Sequence, residues 1–458
     1  MTASAIPAPA APRDATLPAP VERVLDNGLR VVAFSQRNLP LIAAQLVVRG
    51  GSAAEHEDEA GLSALVAVLL TQGTTAHSAT ELAAATDALG ARLDAGSGFD
   101  ASLLSVSATT PAFPYAFALL DEVLRRPAFA PREVERVRTK SISDLALTYA
   151  NPGALARLVA QRVAYGGAPY GHPVAGTVAT LAALGRDRVA WFHERFYRPD
   201  DAVLVIGGDL EVDDAFALAD RELGRWRAPD TPLDAPSDGA IPPPRSRVVI
   251  VDKPDAGRTA LVAGRVTIAR GSPDYYAATV AAAVLHGYSG RINQEIRVKR
   301  GLSYGAGASV SVRRMPGLFT ASTLVDHTRA VEATGVTLAV IRSLVDTPAT
   351  DDDLVSRKAT VTGSFHRAIE TIDGITGSIA EHALYGVALS ELAEYTRRVQ
   401  AVDAAAVRDF AARGLVPDDF VVLVGDASKF ASDIARTHSD VRVIAAADLD
   451  LGSPTLGG

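Results

Sequence analysis

Cysteine is absent from the 458-residue chain. That excludes disulfides, thiolate metal sites and cysteine nucleophiles, and it suits the cytoplasm and the periplasm equally. Basic runs are missing too: no Lys/Arg block exceeds a few residues, and the formal net charge is −8. Nucleic-acid binders usually carry a basic stripe, so no nucleic-acid partner is expected. Long apolar runs are also lacking. The longest, such as "AATVAAAVL" at 277–285, fall well short of the ~20 residues of a membrane span.

What is present is a globular composition. Hydrophobic residues make up 48% of the chain and charged residues 21%, which is ample material for cores. The length allows about three domains of ~150 residues, or two of ~200 or more. Internal similarity favours two. "PDDAVLVIGGDLE" begins at Pro199 and "PDDFVVLVGDASK" at Pro417, 218 residues on. "RVV" at Arg30 recurs at Arg247, 217 residues on. Two separate matches at nearly one offset indicate a duplicated unit. The joint lies in "APDTPLDAPSDGAIPPPRS", where Pro, Asp, Gly and Ser dominate.

The expected organisation is a flexible lead-in (1–20), an N-terminal domain (21–228), a linker (229–244), a C-terminal domain (245–443) and a loose tail (444–458). The lead-in, "MTASAIPAPAAPRDATLPAP", is Ala/Pro-rich with no apolar signal core. It leans the localisation toward a mature periplasmic protein, with the cytoplasm left open. Each half reads as two strands, an Ala/Leu-rich helix, an alternating strand region, further helices and a closing strand. Strands and helices are segregated. The expected class is therefore α+β: two homologous domains, each a mostly antiparallel sheet with helices on one face.

One segment carries chemistry: "SGRINQEIRVKRGLSYGAGASVSV", 289–312. Arg291 to Lys299 has helical spacing, Gly301 stops the helix, and a strand is expected from about Tyr304. Arg297 and Tyr304 lie seven residues apart across this joint, which can bring both side chains to one place. A guanidinium and a phenol together offer donors to a carbonyl oxygen or an oxyanion. The alternative is plainer: Arg297 belongs to a solvated basic face with Lys299 and Arg300, and Tyr304 is a half-buried strand residue.

"RINQEIRVKRGLSYGAGASV" resembles the second-domain signature of the pitrilysin family, which includes insulin-degrading enzyme and mitochondrial processing peptidase. "LDNGLRVV", "RGGSAAEHEDEAGLSALVAVLLTQGT", "PYGHPVAGT" and "FYRPDDAVLVIGGD" resemble other family blocks in the family's order. The resemblance implies that Arg297 and Tyr304 bind the substrate backbone and stabilise the transition state. It also implies what is missing. Active members carry H-x-x-E-H on the first long helix, with two His ligands for zinc and a Glu as general base. Laid on that block, Gly61, Leu62, Gly73 and Thr74 match, but the three chemical positions fall on Ala64, Ala67 and Val68. A further Glu completes the family's metal shell. Its counterpart, 76 residues after Val68, is Asp144. A lone carboxylate does not hold catalytic zinc, so Asp144 reads as a solvated or capping residue.

No other histidine has the spacing of a helical zinc pair. "SIAEH" at 378–382 has Ser378 where a first His is needed, leaving Glu381 and His382 as ordinary helix residues. His56 with Glu55, Glu57 and Glu59 reads as a solvated acidic loop, His172 as structural, and His193 as part of a helix face.

The implied function is that of a zinc-free subunit of a heteromeric metallopeptidase. Its cofactor, zinc, belongs to a homologous partner subunit, in a heterodimer or higher assembly, and its substrate is a peptide or unfolded polypeptide. Alone, the chain is expected to be inactive. A non-catalytic scaffold and a peptide-binding homodimer remain as alternatives. The alternating stretch "RLDAGSGFDASLLSVSA" is either an edge strand for an extended peptide or an ordinary sheet strand.

Overall fold

The computed structural model describes residues 12–233, 240–416 and 420–457. Residues 1–11 of the lead-in, 234–239 of the linker, the second "PDD" at 417–419 and Gly458 lie outside the described residues.

Valine-, isoleucine- and alanine-rich segments suit a pleated, packed surface, and they supply the strands. The first sheet comprises β1 (Val21–Val24), β2 (Arg30–Ser35), β3 (Leu41–Val48), β4 (Arg92–Ser97), β5 (Ser102–Thr109) and β6 (Ala202–Gly208), in the order β1-β2-β6-β3-β5-β4. The second comprises β7 (Val248–Asp252), β8 (Thr259–Val266), β9 (Ala306–Ser311), β10 (Leu318–Val325), β11 (Phe420–Gly425) and β12 (Val441–Ala445), in the order β12-β7-β11-β8-β10-β9. Both sheets are mostly antiparallel. The parallel pairs are β2/β6 in the first, and β7/β11 and β7/β12 in the second.

The duplication is visible in the pairing itself. Strands β2-β6-β3-β5-β4 recur as β7-β11-β8-β10-β9. Ala43 faces Gly207, and Ala260 faces Val424, with both residues shifted by 217. Ile42/Ala108 recurs as Thr259/Val325, and Val31/Leu204 as Val248/Val421. A one-residue slip would turn every side chain to the wrong face, so the register is the quantity a duplicated sheet must retain. Only the outer edge differs: β1 is antiparallel to β2, whereas β12 is parallel to β7.

Each half stacks its own helices on one face of its sheet. In the first, the helices Leu62–Leu70 and Phe113–Arg125 bring Leu65, Leu69, Phe117 and Leu120 against Leu46, Leu104 and Val106. In the second, the helices Tyr275–Leu285 and Ala330–Asp346 bury Ala281, Leu285, Ile341 and Leu344 against Leu261, Phe319 and Leu423. The opposite faces are covered by exchange. Helix Ile372–Leu384 of the second half lays Ile372, Ile375 and Ile379 on Val32, Phe34, Val203 and Val205 of the first sheet. Helix Pro152–Tyr165 of the first half lays Leu155, Val159 and Ala160 on Val251, Val262, Val422 and Val424 of the second. This explains the wholly buried β6 and β11: strands covered on both faces read as continuous apolar runs. Each fully buried Val, Leu or Ile contributes about 1.5–3 kcal/mol, so the exchanged helices bind the halves far more firmly than a linker does.

The tail departs from expectation. Leu451 and Leu456 are buried in the cluster beneath helix Pro152–Tyr165. Arg162, only 1% exposed, donates from Nη2 to the Leu451 carbonyl at 2.7 Å. The segment is held rather than loose, because a buried guanidinium needs those carbonyls. In the lead-in, Ala15 and Leu17 pack against the cluster around Ile375. No helix among the described residues is long and apolar enough to cross a membrane.

Candidate active site

Helix Leu62–Leu70 begins at Gly61, whose φ of 98° lies in the left-handed region that glycine tolerates. The Glu55 carboxylate, buried, accepts from the backbone N–H of Gly61 at 2.9 Å and of Ser63 at 2.6 Å. Negative charge on the first N–H groups of a helix both satisfies them and complements the helix dipole. His172, also buried, sets its Nε2 at 2.9 Å from the Ser52 carbonyl and 3.3 Å from Glu55. The acidic loop is therefore not the solvated one expected. Glu57 pairs with the buried Arg162, and Glu59 accepts from Arg188 Nη2 at 2.7 Å. Each carboxylate ties the loop to a different element.

Along this helix Ala67 is buried, Ala64 is half-buried, and Val68 is 43% exposed. None has a lone pair to offer a metal. Asp144 is exposed on helix Pro131–Ala150 and accepts from Lys140 Nζ at 2.6 Å, one turn away. Among the described residues no group of three or more His, Asp or Glu is placed to hold a metal ion. The residues at the family's zinc positions do not fit zinc.

The other segment is built differently. A helical turn, Arg291–Asn293, widens into a π-helix over Gln294–Lys299, a rare geometry that recurs at functional positions. Ile292 and Ile296 anchor it in the second core. Asn293, 3% exposed, uses both ends of its amide: Nδ2 donates to the Tyr288 carbonyl at 2.8 Å, and Oδ1 accepts from Ala306 N–H at 3.2 Å. That pair of bonds fixes the helix to the start of β9. Gly301, at φ 60°, ends the helix, and Leu302 N–H returns to the Ile296 carbonyl at 2.8 Å.

Strand β9 begins at Ala306, not near Tyr304. Ser303 holds the intervening turn, its Oγ donating to the Gly305 carbonyl at 2.8 Å and so competing with ladder pairing. Tyr304 stands on that turn, 79% exposed, with the Arg258 guanidinium 4.9 Å from its ring centre. Arg297 is exposed, with its guanidinium 5.2 Å from the Tyr288 ring centre. Arg297 and Tyr304 thus flank one joint, but among the described residues they share no hydrogen bond, and each lies against its own aromatic or cationic neighbour. The basic face also divides. Lys299 and Arg300 both pair with Glu295, and they hold its carboxyl below the usual range, Lys299 most strongly. No carboxylate among the described residues pairs with Arg297.

Two further histidines are less exposed than expected. His193 Nε2 lies 2.7 Å from the Leu124 carbonyl, and burial pushes the imidazole down to about 4. His382 is buried, and with Glu381 it lines a cavity in the second half. The supporting roles of Tyr288, Arg258 and Asn293 were not read from the sequence. The one available signal was an Asn inside a helical pattern, a residue that competes for backbone bonds.

Residues 30–178 match the insulinase (peptidase family M16) model, and residues 183–361 match the peptidase M16 inactive-domain model. An uncharacterized zinc protease of Mycobacterium bovis is 28% identical over 358 residues, which is 77% of this chain and 81% of that protein. One from Rickettsia felis is 23% identical over 302 residues, covering 65% of this chain and 71% of the relative. In fold, the chain resembles a peptidase M16 inactive domain from Pseudomonas fluorescens, with a TM-score of 0.83 and 22% identity over 89% of this chain and 98% of the other. It also resembles a protease from Helicobacter pylori, with a TM-score of 0.81 and 18% identity over 89% and 99% of the two chains. The first match spans the helix that carries Ala64, Ala67 and Val68, the second spans Arg297 and Tyr304, and the chain belongs to the M16 peptidase family.

Proposed function

We propose that this chain is the zinc-free subunit of a heteromeric M16 metallopeptidase, in which a homologous partner holds the metal and the water-activating carboxylate. The observation that carries this reading is a contrast. Helix Leu62–Leu70 is intact, capped and packed, yet has aliphatic side chains at all three chemical positions. Arg297 meanwhile keeps an exposed guanidinium with no carboxylate partner among the described residues.

On this reading the Arg297 guanidinium and the Tyr304 hydroxyl donate to the carbonyl of a bound peptide. They stabilise its oxygen as negative charge develops there. β4 and β9 are open edges of their sheets and offer backbone groups to an extended peptide. The substrate class is a peptide or unfolded polypeptide.

The test is reconstitution with a zinc-bearing sister subunit. The isolated chain hydrolyses no peptide, whereas the pair shows chelator-sensitive cleavage. Chelator-sensitive cleavage by the purified chain alone overturns the proposal. A second reading, a non-catalytic scaffold or peptide-binding homologue, draws on the intrachain neighbours of both side chains: Tyr288 beside Arg297 and Arg258 beside Tyr304. Full activity of a complex carrying Arg297→Ala and Tyr304→Phe together favours that reading.

A further inference from the structure

Helix Ile372–Leu384 has two faces. Its isoleucines cover the first sheet, while Ser378, Glu381 and His382 line a cavity of about 460 Å³ in the second half. Aromatic rings form much of the opposing wall. Phe365 and Tyr395 stack with ring centres 4.2 Å apart, and Tyr275 stands beside them. Ala308 of the edge strand β9 also lines the cavity.

The charges in this wall are unequal. Arg270 is 3% exposed, with its guanidinium 3.9 Å from the Tyr275 ring centre. It donates to Glu391 Oε1 at 3.3 Å and to His382 Nε2 at 3.2 Å. His382 donates from Nδ1 to the Ser378 carbonyl at 2.9 Å, which leaves Nε2 as the acceptor. Burial, with Arg270 adding to it, pushes the pKa of this imidazole down. Glu391 accepts in addition from the Tyr276 hydroxyl at 2.9 Å. Arg270 lines the cavity as well, and Glu391 balances its charge within the wall. Glu381 is the exception. It lines the cavity and is exposed, and among the described residues its carboxylate makes no hydrogen bond or ion pair. Desolvation by the surrounding wall pushes its pKa up, against the pull of Arg270.

A carboxylate among aromatic rings, with no partner, gains from a cation on two counts. An ion pair gives the carboxylate the partner it lacks among the described residues, and the rings attract positive charge. An anion gains neither. We infer that the cavity binds an organic cation, an alkylammonium or guanidinium group on an apolar stem, with Glu381 as counter-ion and Tyr275, Phe365 and Tyr395 around the stem. The cation arrives either on a basic side chain of a peptide lying along β9 or on a free amine. Only the peptide source rests on the function proposed above.

Calorimetric titration of the full chain separates these. The probes are agmatine and a pair of heptapeptides that differ only in lysine against norleucine. The lysine peptide should bind at least tenfold tighter, and Glu381→Gln should remove that preference while leaving norleucine-peptide affinity unchanged. The wild-type comparison stands even if the variant does not fold. Equal binding of the two peptides, with no agmatine binding, overturns the inference and leaves the peptide-binding function intact. Agmatine binding that Glu381→Gln abolishes, with neither peptide bound, supports a free-amine site and counts against the peptide-binding function. Binding of no probe overturns the inference.

Discussion

The two halves repeat one sheet with one register, yet they differ in how particular charged groups near their candidate sites are matched. In the first half, Glu55, Glu57 and Glu59 surround the helix that holds Ala64, Ala67 and Val68, and each is matched to a helix N-terminus or an arginine. In the second half, among the described residues, Arg297 stands exposed with no carboxylate partner, Tyr304 stands on a turn, and Glu381 lines a cavity without a partner. Compensated charge builds the fold, whereas uncompensated charge is available to a ligand. After duplication the register had to persist, because a slip exposes the core. Side chains off the sheet faces were free to diverge.

This contrast can be broken experimentally. The largest effect expected is on catalysis. In a reconstituted complex, Arg297→Ala with Tyr304→Phe should lower kcat/KM by at least about 100-fold, since one oxyanion donor is typically worth about 10²–10³; a fluorogenic peptide assay reads it. Next is the exchange between halves. Ile375→Ala opens a cavity between the helix and the first sheet and should cost about 2–5 kcal/mol in urea unfolding.

His193 supplies a pH dependence of similar size. Its folded value of about 4 lies below the ordinary 6.5, so the unfolded chain binds the extra proton. Its contribution is complete above about 6.5 and is lost as pH falls toward 4, by up to about 3 kcal/mol. His193→Gln, which retains a donor for the Leu124 carbonyl, should flatten that part of the stability–pH curve.

Glu55→Ala uncaps the buried helix and should cost about 1–3 kcal/mol, measured as a lower urea midpoint. Smallest of all, Arg297→Ala alone should change stability by no more than about 0.5 kcal/mol. A large loss there would show that Arg297 supports the fold, and the contrast between the halves would fail.

Much of this was legible in the chain. The RVV and PDD matches located the duplication, because strand segments that pack alike keep similar apolar patterns. The aliphatic triplet at Ala64, Ala67 and Val68 and the Arg297/Tyr304 spacing were readable directly, since they concern which residue stands where. The exchanged helices were not legible. Apolar spacing reveals that a helix has a buried face but not which sheet receives it. The start of β9 was misplaced because Ser303 diverts the backbone at Gly305, a local bond that periodicity does not register.

The sequence by itself determined the duplication, the α+β class, and the absence of metal ligands from the first long helix. These follow from residue identity and periodicity alone. Tertiary structure decided which charges are compensated. Glu55, Glu57 and Glu59 look like a solvated loop until the fold brings Arg162, Arg188 and the N-terminus of helix Leu62–Leu70 to them. Glu381 looks ordinary until packing places it in a cavity with no partner among the described residues. Compensation depends on neighbours distant in sequence, and only the folded chain assembles them.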